Sequence, residues 1–390
     1  MRRAEDEREA KTPPHVVIVL ASFAVGGAER QACLLAKWLY ERGEVRVSVV
    51  GLRGGGPFAD WLAREGVAHR VLGSDAGVGV WWRWWRGLRN MRPDVLVAFT
   101  NLPNVVCGVL WRWTGARNCV WGQRDEGRGR LDHWLVRRTA ARWTPRFVSN
   151  SEPGGRFLVE RLGVLPRRVR VIANGVSLPE PRLSRAAWRE QLGVGLEQPM
   201  VVMVANLHRN KDHATLIQAW RGVIDRSPVA PMLVLAGRHD DTAAAIRAQV
   251  AREGLGGSVA FAGEVEDVAG LLTSADVAVF SSIGEGTPNA VLEAMAAGNP
   301  VVASDLPGVR EAMRDTLPEG GSLVPPGDAE AFAEALSRWL IASEVRHMAR
   351  RRNMQSVAER YGIDAMGRAF LEERTYVANT KKRNSNRFIP

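Results

Sequence analysis

Short runs of β-branched and aliphatic residues alternate along this chain with longer stretches in which apolar positions recur every three to four residues. The runs are Val16 to Leu20, Val45 to Val50, Val95 to Phe99, Phe147 to Ser149 and Val169 to Ile172. After Pro179 and Pro181 the rhythm begins again, with Met200 to Ala205, Met232 to Ala236, Val259 to Ala262, Val277 to Ser281 and Val301 to Ser304. Such short, unbroken apolar runs are expected to be strands covered on both faces, as in parallel sheets whose crossover helices supply the cover. The pattern predicts two doubly wound α/β domains, with a boundary at Asn174 to Ser184 where Asn-Gly, Pro and Ser cluster. Ligands of such sheets sit beyond the carboxyl ends of the strands, and two facing sheets would put a site in the cleft between them. The expected divisions are an N-terminal extension over residues 1–14, domains over 15–178 and 185–360, an amphipathic helix over 361–378 and a basic tail over 379–390.

Composition changes this picture little. With 390 residues, 46% hydrophobic and 24% charged, the chain has material for two cores and lacks the signature of disorder. No apolar run approaches the roughly 20 residues of a membrane-spanning helix, which speaks against an integral membrane protein. Val16 to Val25 follows acidic residues and leads into Gly26-Gly27, so it reads as a strand and loop rather than a secretion signal. Cys33, Cys107 and Cys119 form no metal-ligand spacing and are expected to be small buried hydrophobes in a reducing compartment.

Charge matters more through its distribution. Residues 1–185 hold 31 Lys+Arg against 17 Asp+Glu, a net +14, whereas residues 186–390 carry a net −3. A basic first half fits nucleic acid, an anionic membrane, a phosphorylated substrate, or simply a solvated arginine-rich surface.

The densest chemical constellation follows the run Val277 to Ser281. A loop with Gly284, Glu285 and Gly286 feeds Thr287, expected as an N-cap, and Pro288, expected at the first helical position, with Asn289 and Glu293 on the helix and Gly298 closing it. The free N–H groups at such a helix start make an anion site, while Glu285 and Glu293 would accept hydrogen bonds from sugar hydroxyls on either side of it. Lys211 is a second signal: it is the one lysine between residues 38 and 380, and it follows a strand in Asn206-Leu207-His208-Arg209-Asn210-Lys211. A compact ammonium there suits a phosphate oxygen. A third, weaker signal is Ser22 to Arg30, where Gly26 and Gly27 allow close approach of a ligand to the backbone. No G-x-G-x-x-G, P-loop, nucleophile elbow or H-E-x-x-H is present, which disfavours nicotinamide, flavin and metalloprotease chemistry.

Taken in order, Gly26-Gly27-x-Glu29-Arg30, Val148-Ser149-Asn150-Ser151, Asn174-Gly175-Val176, Val204-Ala205-Asn206-Leu207 with Lys211-Asp212-His213, and Glu285-Gly286-Thr287-Pro288-Asn289 through Glu293-Ala294-Met295 resemble the family 4 glycosyltransferases over about residues 15–376. The resemblance implies the GT-B fold: two Rossmann-like domains facing across a cleft, with the C-terminal helix crossing back to the first. It implies an acceptor-binding first domain and a second domain holding a nucleotide-diphosphate sugar. Lys211 would meet the diphosphate, Glu285 the transferred sugar and Glu293 the ribose; the segment Gly263 to Asp267, including Glu264, would meet the base. Gly27, Asn206, Arg209, Gly286, Thr287, Pro288 and Asn289 complete the implied donor set, Glu285 and Lys211 being the catalytic pair. The family usually has Arg where this chain has Asn206, which throws more of the diphosphate charge onto Lys211 and Arg209. Arg124 and Asp125, with His133, are candidates on the acceptor side.

The resemblance also implies a retaining transfer of cell-envelope or exopolysaccharide type, carried by positioning and by stabilisation of the departing diphosphate. No spaced D-x-D pair is present, so neither a metal nor another cofactor is expected. Trp81, Trp84, Trp85 and Leu88 share a helical face expected to pack on the sheet, while Trp82 shares one with Arg86 and Arg89. With a net +13 over residues 81–185, this surface predicts an anionic-membrane partner, a lipid-linked saccharide acceptor and a cytoplasmic protein peripheral to the inner face of the cytoplasmic membrane. Two rivals are a GT-B nucleotide-sugar epimerase and a basic nucleic-acid-binding protein; no helix-turn-helix or aromatic-basic sheet supports the latter, so nucleic acid is not expected as a partner.

Overall fold

The computed structural model describes residues 13–73, 79–124, 134–284 and 288–372. The chain divides into two compact units, residues 1–175 with 363–390, and residues 176–362.

The first unit is a seven-stranded sheet in the order β3-β2-β1-β4-β5-β6-β7, every neighbouring pair parallel. The strands are β1 (His15–Ser22), β2 (Arg46–Gly54), β3 (Ala68–Val71), β4 (Val95–Phe99), β5 (Asn118–Gln123), β6 (Arg146–Ser149) and β7 (Val169–Val171). Alternate residues of β1 enter different cores. Val16, Ile18 and Leu20 pack with Leu35, Leu39 and Phe99, whereas Val17 and Val19 pack with Trp84, Leu88 and Cys107. Both faces of the sheet are thus covered by helices, which is why its central strand reads as an unbroken apolar run.

A helix over residues 363–372 completes this unit. Met366 and Phe370 join the core on the first face, and the Trp38 indole N–H donates to Asp364. Gly367 lies so close to Trp38 that a Cβ there would fall 2.3 Å from the indole ring. The return of the C-terminal helix to the first domain is therefore built from side-chain packing as well as chain order.

The second unit has six parallel strands in the order β10-β9-β8-β11-β12-β13: β8 (Met200–Val204), β9 (Met232–Ala236), β10 (Val259–Gly263), β11 (Val277–Phe280), β12 (Val301–Ser304) and β13 (Gly321–Val324). Asp276, just before β11, accepts hydrogen bonds from Arg189, Arg185 and the Met200 backbone, and Arg189 is completely buried. Three strands, β3, β5 and β13, have no counterpart among the apolar runs. Ala68-His69-Arg70-Val71 forms a largely exposed edge, while Asn118 and Gln123 put polar residues at both ends of β5. The three cysteines are free and buried.

Candidate functional site

In the second unit, strand order reverses between β8 and β11, the place in a doubly wound sheet where the loops part and a ligand fits. After β8 the chain passes through Asn206 to a short 3-10 turn, Arg209–Lys211. Asp212, held at φ 45, then caps the helix His213–Arg226: its carboxylate accepts from the Thr215 N–H at 3.3 Å and the Thr215 hydroxyl at 2.7 Å. The loop after β11 hooks onto this turn. The buried Ser281 hydroxyl donates to the carbonyls of Lys211 (2.9 Å) and Asp212 (3.0 Å), and the Ile283 N–H donates to the Asn210 carbonyl at 2.9 Å. The segment running towards the helix Asn289–Ala296 is thereby fastened to the turn that carries Lys211.

Glu285, Gly286 and Thr287 lie outside the described residues. The helix starts one residue later than the sequence pattern suggests. Pro288 is its N-cap, with ψ of 116°, and Asn289 the first helical residue, because an extended proline backbone cannot yet belong to the helix. Glu293 is 6% exposed on this helix. Gly298, at φ 88, closes it: the N–H groups of Gly298 and Asn299 donate back to Met295 (3.0 Å) and Ala294 (2.9 Å), a pairing that needs a left-handed residue after the helix end.

The other expected donor residues divide by position. The Asn206 side-chain carbonyl accepts from the Arg238 N–H at 3.2 Å, bracing the loop after β9. There Gly237 packs against the chain, since a Cβ would stand 2.2 Å from the Ala205 carbonyl. Arg209 is engaged by Asp241, its Nε donating at 2.7 Å, and that hydrogen bond holds the Asp241 carboxyl below its ordinary range. Glu264 is exposed just beyond β10, two strands out from β8. At the end of its segment Asp267 has structural work: it accepts from the Trp188 indole and from the N–H groups of Arg182, Leu183 and Gly270. Burial pushes its carboxyl up, but these hydrogen bonds outweigh it and leave the group below the usual carboxylate range. Gly27 belongs to the other unit, where it starts the helix Gly27–Arg42 after β1.

The first sheet reverses its order between β1 and β4. Immediately after β4 stands Thr100, at φ 70 and ψ 173, a backbone conformation strained for a β-branched residue. Arg124 follows β5. Its guanidinium lies 4.1 Å from the Phe99 ring centroid and 5.9 Å from that of Phe370, and donates to Asn174 Oδ1 at 3.3 Å. Among the described residues its buried Nε and Nη2 have no hydrogen-bond partner, and burial pushes its pKa down to about 9. Asp125 and His133 lie outside the described residues.

Thr100 escaped the sequence reading, and His213 entered it only within a motif, without a role. Nothing in a Phe-Thr-Asn sequence signals a strained threonine. His213, buried with neither ring nitrogen hydrogen-bonded among the described residues, is held neutral: burial, and then the charge of Lys211, push its pKa down to about 4.

On the outer helices of the first unit the tryptophans separate. Trp84 and Leu88 are buried on the helix Val80–Asn90 and Trp85 is half-buried, but Trp81 is exposed and does not join the packed face expected of it. Trp81 stands in the first turn, where its ring meets that of Trp84 edge-on at 5.8 Å. Trp82 is 56% exposed, with Arg86 lying 5.1 Å over its ring, and Trp113 is 54% exposed, its carbonyl receiving the Trp85 indole and Arg89. Trp143 meets Trp113 edge-on. No helix among the described residues is long and apolar enough to cross a membrane.

Comparison with known proteins gives two family matches: residues 25–179 to the model described as Glycosyltransferase Family 4, and residues 198–341 to that described as Glycosyl transferases group 1. The lipopolysaccharide core biosynthesis glycosyltransferase LpsE of Rhizobium meliloti (strain 1021) is 28% identical over 260 residues, 59% of this chain and 73% of that protein. The phosphatidyl-myo-inositol mannosyltransferase of Mycobacterium leprae (strain TN) is 41% identical over 129 residues, 32% of this chain and 33% of that protein. The crystal structure of Anabaena Alr3699/HepE in complex with UDP matches with a TM-score of 0.81 at 20% identity, over 93% of this chain and 100% of that one; the same protein has been crystallised with UDP-glucose.

Proposed function

Because the chain belongs to family 4 of the glycosyltransferases, we propose that it moves a sugar, with retention of anomeric configuration, from a nucleotide-diphosphate sugar to a saccharide acceptor carried on a lipid. The observation that carries this reading is the hooked pair of loops at the β8/β11 reversal, which sets Lys211 beside the segment entering the helix Asn289–Ala296. A diphosphate leaving group develops negative charge as the glycosidic bond to it breaks. An ammonium and the N-terminal end of a helix stabilise that charge without reorganising, and removal of one such donor typically costs about 3 to 4 kcal/mol in the transition state. Lys211 and the helix start take this role, Glu285 the transferred sugar, and Glu293 the ribose. Asn206, Arg209, Gly286, Thr287, Pro288 and Asn289 are assigned to the donor, as is Gly27, and Glu264 to the base. With these cations in place the transfer needs no divalent metal. The UDP and UDP-glucose bound by the HepE protein support a nucleotide sugar as donor.

The lipid-linked acceptor and a station on the inner face of the cytoplasmic membrane rest on the exposed Trp82 and Trp113 with their arginines, a composition suited to the headgroup boundary. Arg124 and Asp125 are assigned to the acceptor. The naming of the LpsE and mannosyltransferase relatives, one for lipopolysaccharide core and one for phosphatidyl-myo-inositol, supports an envelope substrate.

The test is a donor panel with and without lipid-linked acceptor, in EDTA, with the product anomer read by NMR. Acceptor-dependent transfer with the donor's anomeric configuration is expected. Inversion, a strict requirement for magnesium or manganese, or donor conversion without acceptor would each overturn the corresponding part of the reading.

A further inference from the structure

A pocket of about 310 Å³ opens on the first unit between the helix Trp134–Trp143 and the loop Leu162-Gly163-Val164 that precedes β7. Its charged lining is entirely arginine: Arg138, Arg142 and Arg168. Among the described residues none of the three pairs with a carboxylate. Arg168 donates through Nε to the Pro145 carbonyl at 3.3 Å and lies over the Phe147 ring, while Arg138 lies over Trp134. Burial, and then the nearby charges of Arg146 and Arg167, hold the Arg168 guanidinium below its ordinary pKa, so positive charge is crowded here. The rim is apolar and uncovered: Leu135, in the lining, is 75% exposed and Leu165, beside it in the chain, 47%.

We propose that this pocket receives the phosphate headgroup of an anionic phospholipid, with Leu135 and Leu165 meeting the acyl boundary. The inference rests on the membrane reading above and adds to it a defined headgroup site, separate from the Trp82 surface. Three arginines in the lining of one pocket suit a phosphate, whose oxygens accept planar, bidentate pairs, and the apolar rim is what separates a lipid from a free phosphate ester. The pocket lies towards the amino ends of β6 and β7, away from the strand ends assigned to the sugar donor and acceptor, so it is a docking site and has no part in the transfer step.

The test is sedimentation with phosphatidylcholine vesicles containing phosphatidylglycerol, at fixed ionic strength. Arg138→Ala with Arg142→Ala should weaken binding about tenfold, the effect of losing charge-assisted hydrogen bonds. Arg64→Ala with Arg70→Ala removes the same charge from exposed positions elsewhere on the unit and should weaken it less than about twofold, the cost of a screened surface charge. Equal weakening by both pairs, or none by the pocket pair, would overturn the headgroup site while leaving a general membrane attraction standing. If the wild-type protein fails to bind the vesicles at all, the membrane reading itself fails. Glycerol phosphate protecting wild type but not the pocket pair against thermal unfolding would then reassign the pocket to a soluble phosphate ester and overturn the lipid.

Discussion

The two sheets reverse their strand order in the same way, yet the reversal points are built from different materials. At β8/β11 the walls are made of backbone: a 3-10 turn, a left-handed Asp212 cap, a serine hook and a helix bounded by proline and Gly298. At β1/β4 and the neighbouring end of β5 the distinctive features are side chains under stress, Thr100 in a strained conformation and Arg124 desolvated against Phe99. A site made of oriented N–H groups and one ammonium suits a ligand part common to all turnovers, such as a diphosphate. In the function proposed above, the buried guanidinium and strained loop start fall on the acceptor side.

Lys211→Ala breaks the first region most severely. Turnover should fall at least about 100-fold, roughly 2.7 kcal/mol, with the melting temperature unchanged, since the side chain supports a developing charge and not the core. Near-normal activity would hand the diphosphate to Arg209. The two glutamates sharpen the picture within the same region. Glu293→Gln should weaken binding of free nucleotide diphosphate about tenfold, because a ribose contact exists in ground and transition states alike, whereas Glu285→Gln should lower turnover and spare that affinity. Equal losses of affinity in the two variants would contradict this division.

At the β1/β4 reversal the expected effect is on stability. Thr100→Gly should stabilise the protein by about 1 kcal/mol, because relief of a strain of roughly 1–3 kcal/mol exceeds the entropy glycine loses. Urea titration checks it; a loss of stability would show that the threonine side chain holds the loop. The effect of His213 is absent at neutral pH and appears only in acid. Its folded pKa is depressed to about 4, mainly by burial, so the unfolded chain binds more protons below its ordinary value near 6.5. The contribution is full above that value and is lost as pH falls towards 4. His213→Gln should flatten this part of the stability profile; an unchanged slope would locate the acid sensitivity elsewhere, for instance at His15, whose pKa burial also lowers.

The same contrast explains what could be read from the sequence. Parallel strands buried on both faces announce themselves as apolar runs, and so β1, β4, β9 and β12 were legible. Edge and polar-ended strands such as β3 and β5 take their identity from pairing partners far along the chain, which no local window contains. The Lys211 turn and the helix after β11 are marked by residue types that backbone geometry demands: Gly, Pro, Asn and capping Asp. Thr100 and Arg124 are marked by nothing local, because strain and desolvation come from the packing around them. Trp81 shows the same limit from the other side: helical periodicity assigned it to a buried face, but how far that face stays against the sheet is decided by the tertiary structure.

Hydrogen exchange with and without a uridine diphosphate tests most directly the claim that the donor is held at the β8/β11 reversal. Protection should concentrate in residues 205–212 and 281–297, and should be much reduced in Lys211→Ala. Protection confined to the ends of β4 and β5, with the β8 and β11 loops exchanging as in the free protein, would contradict the account.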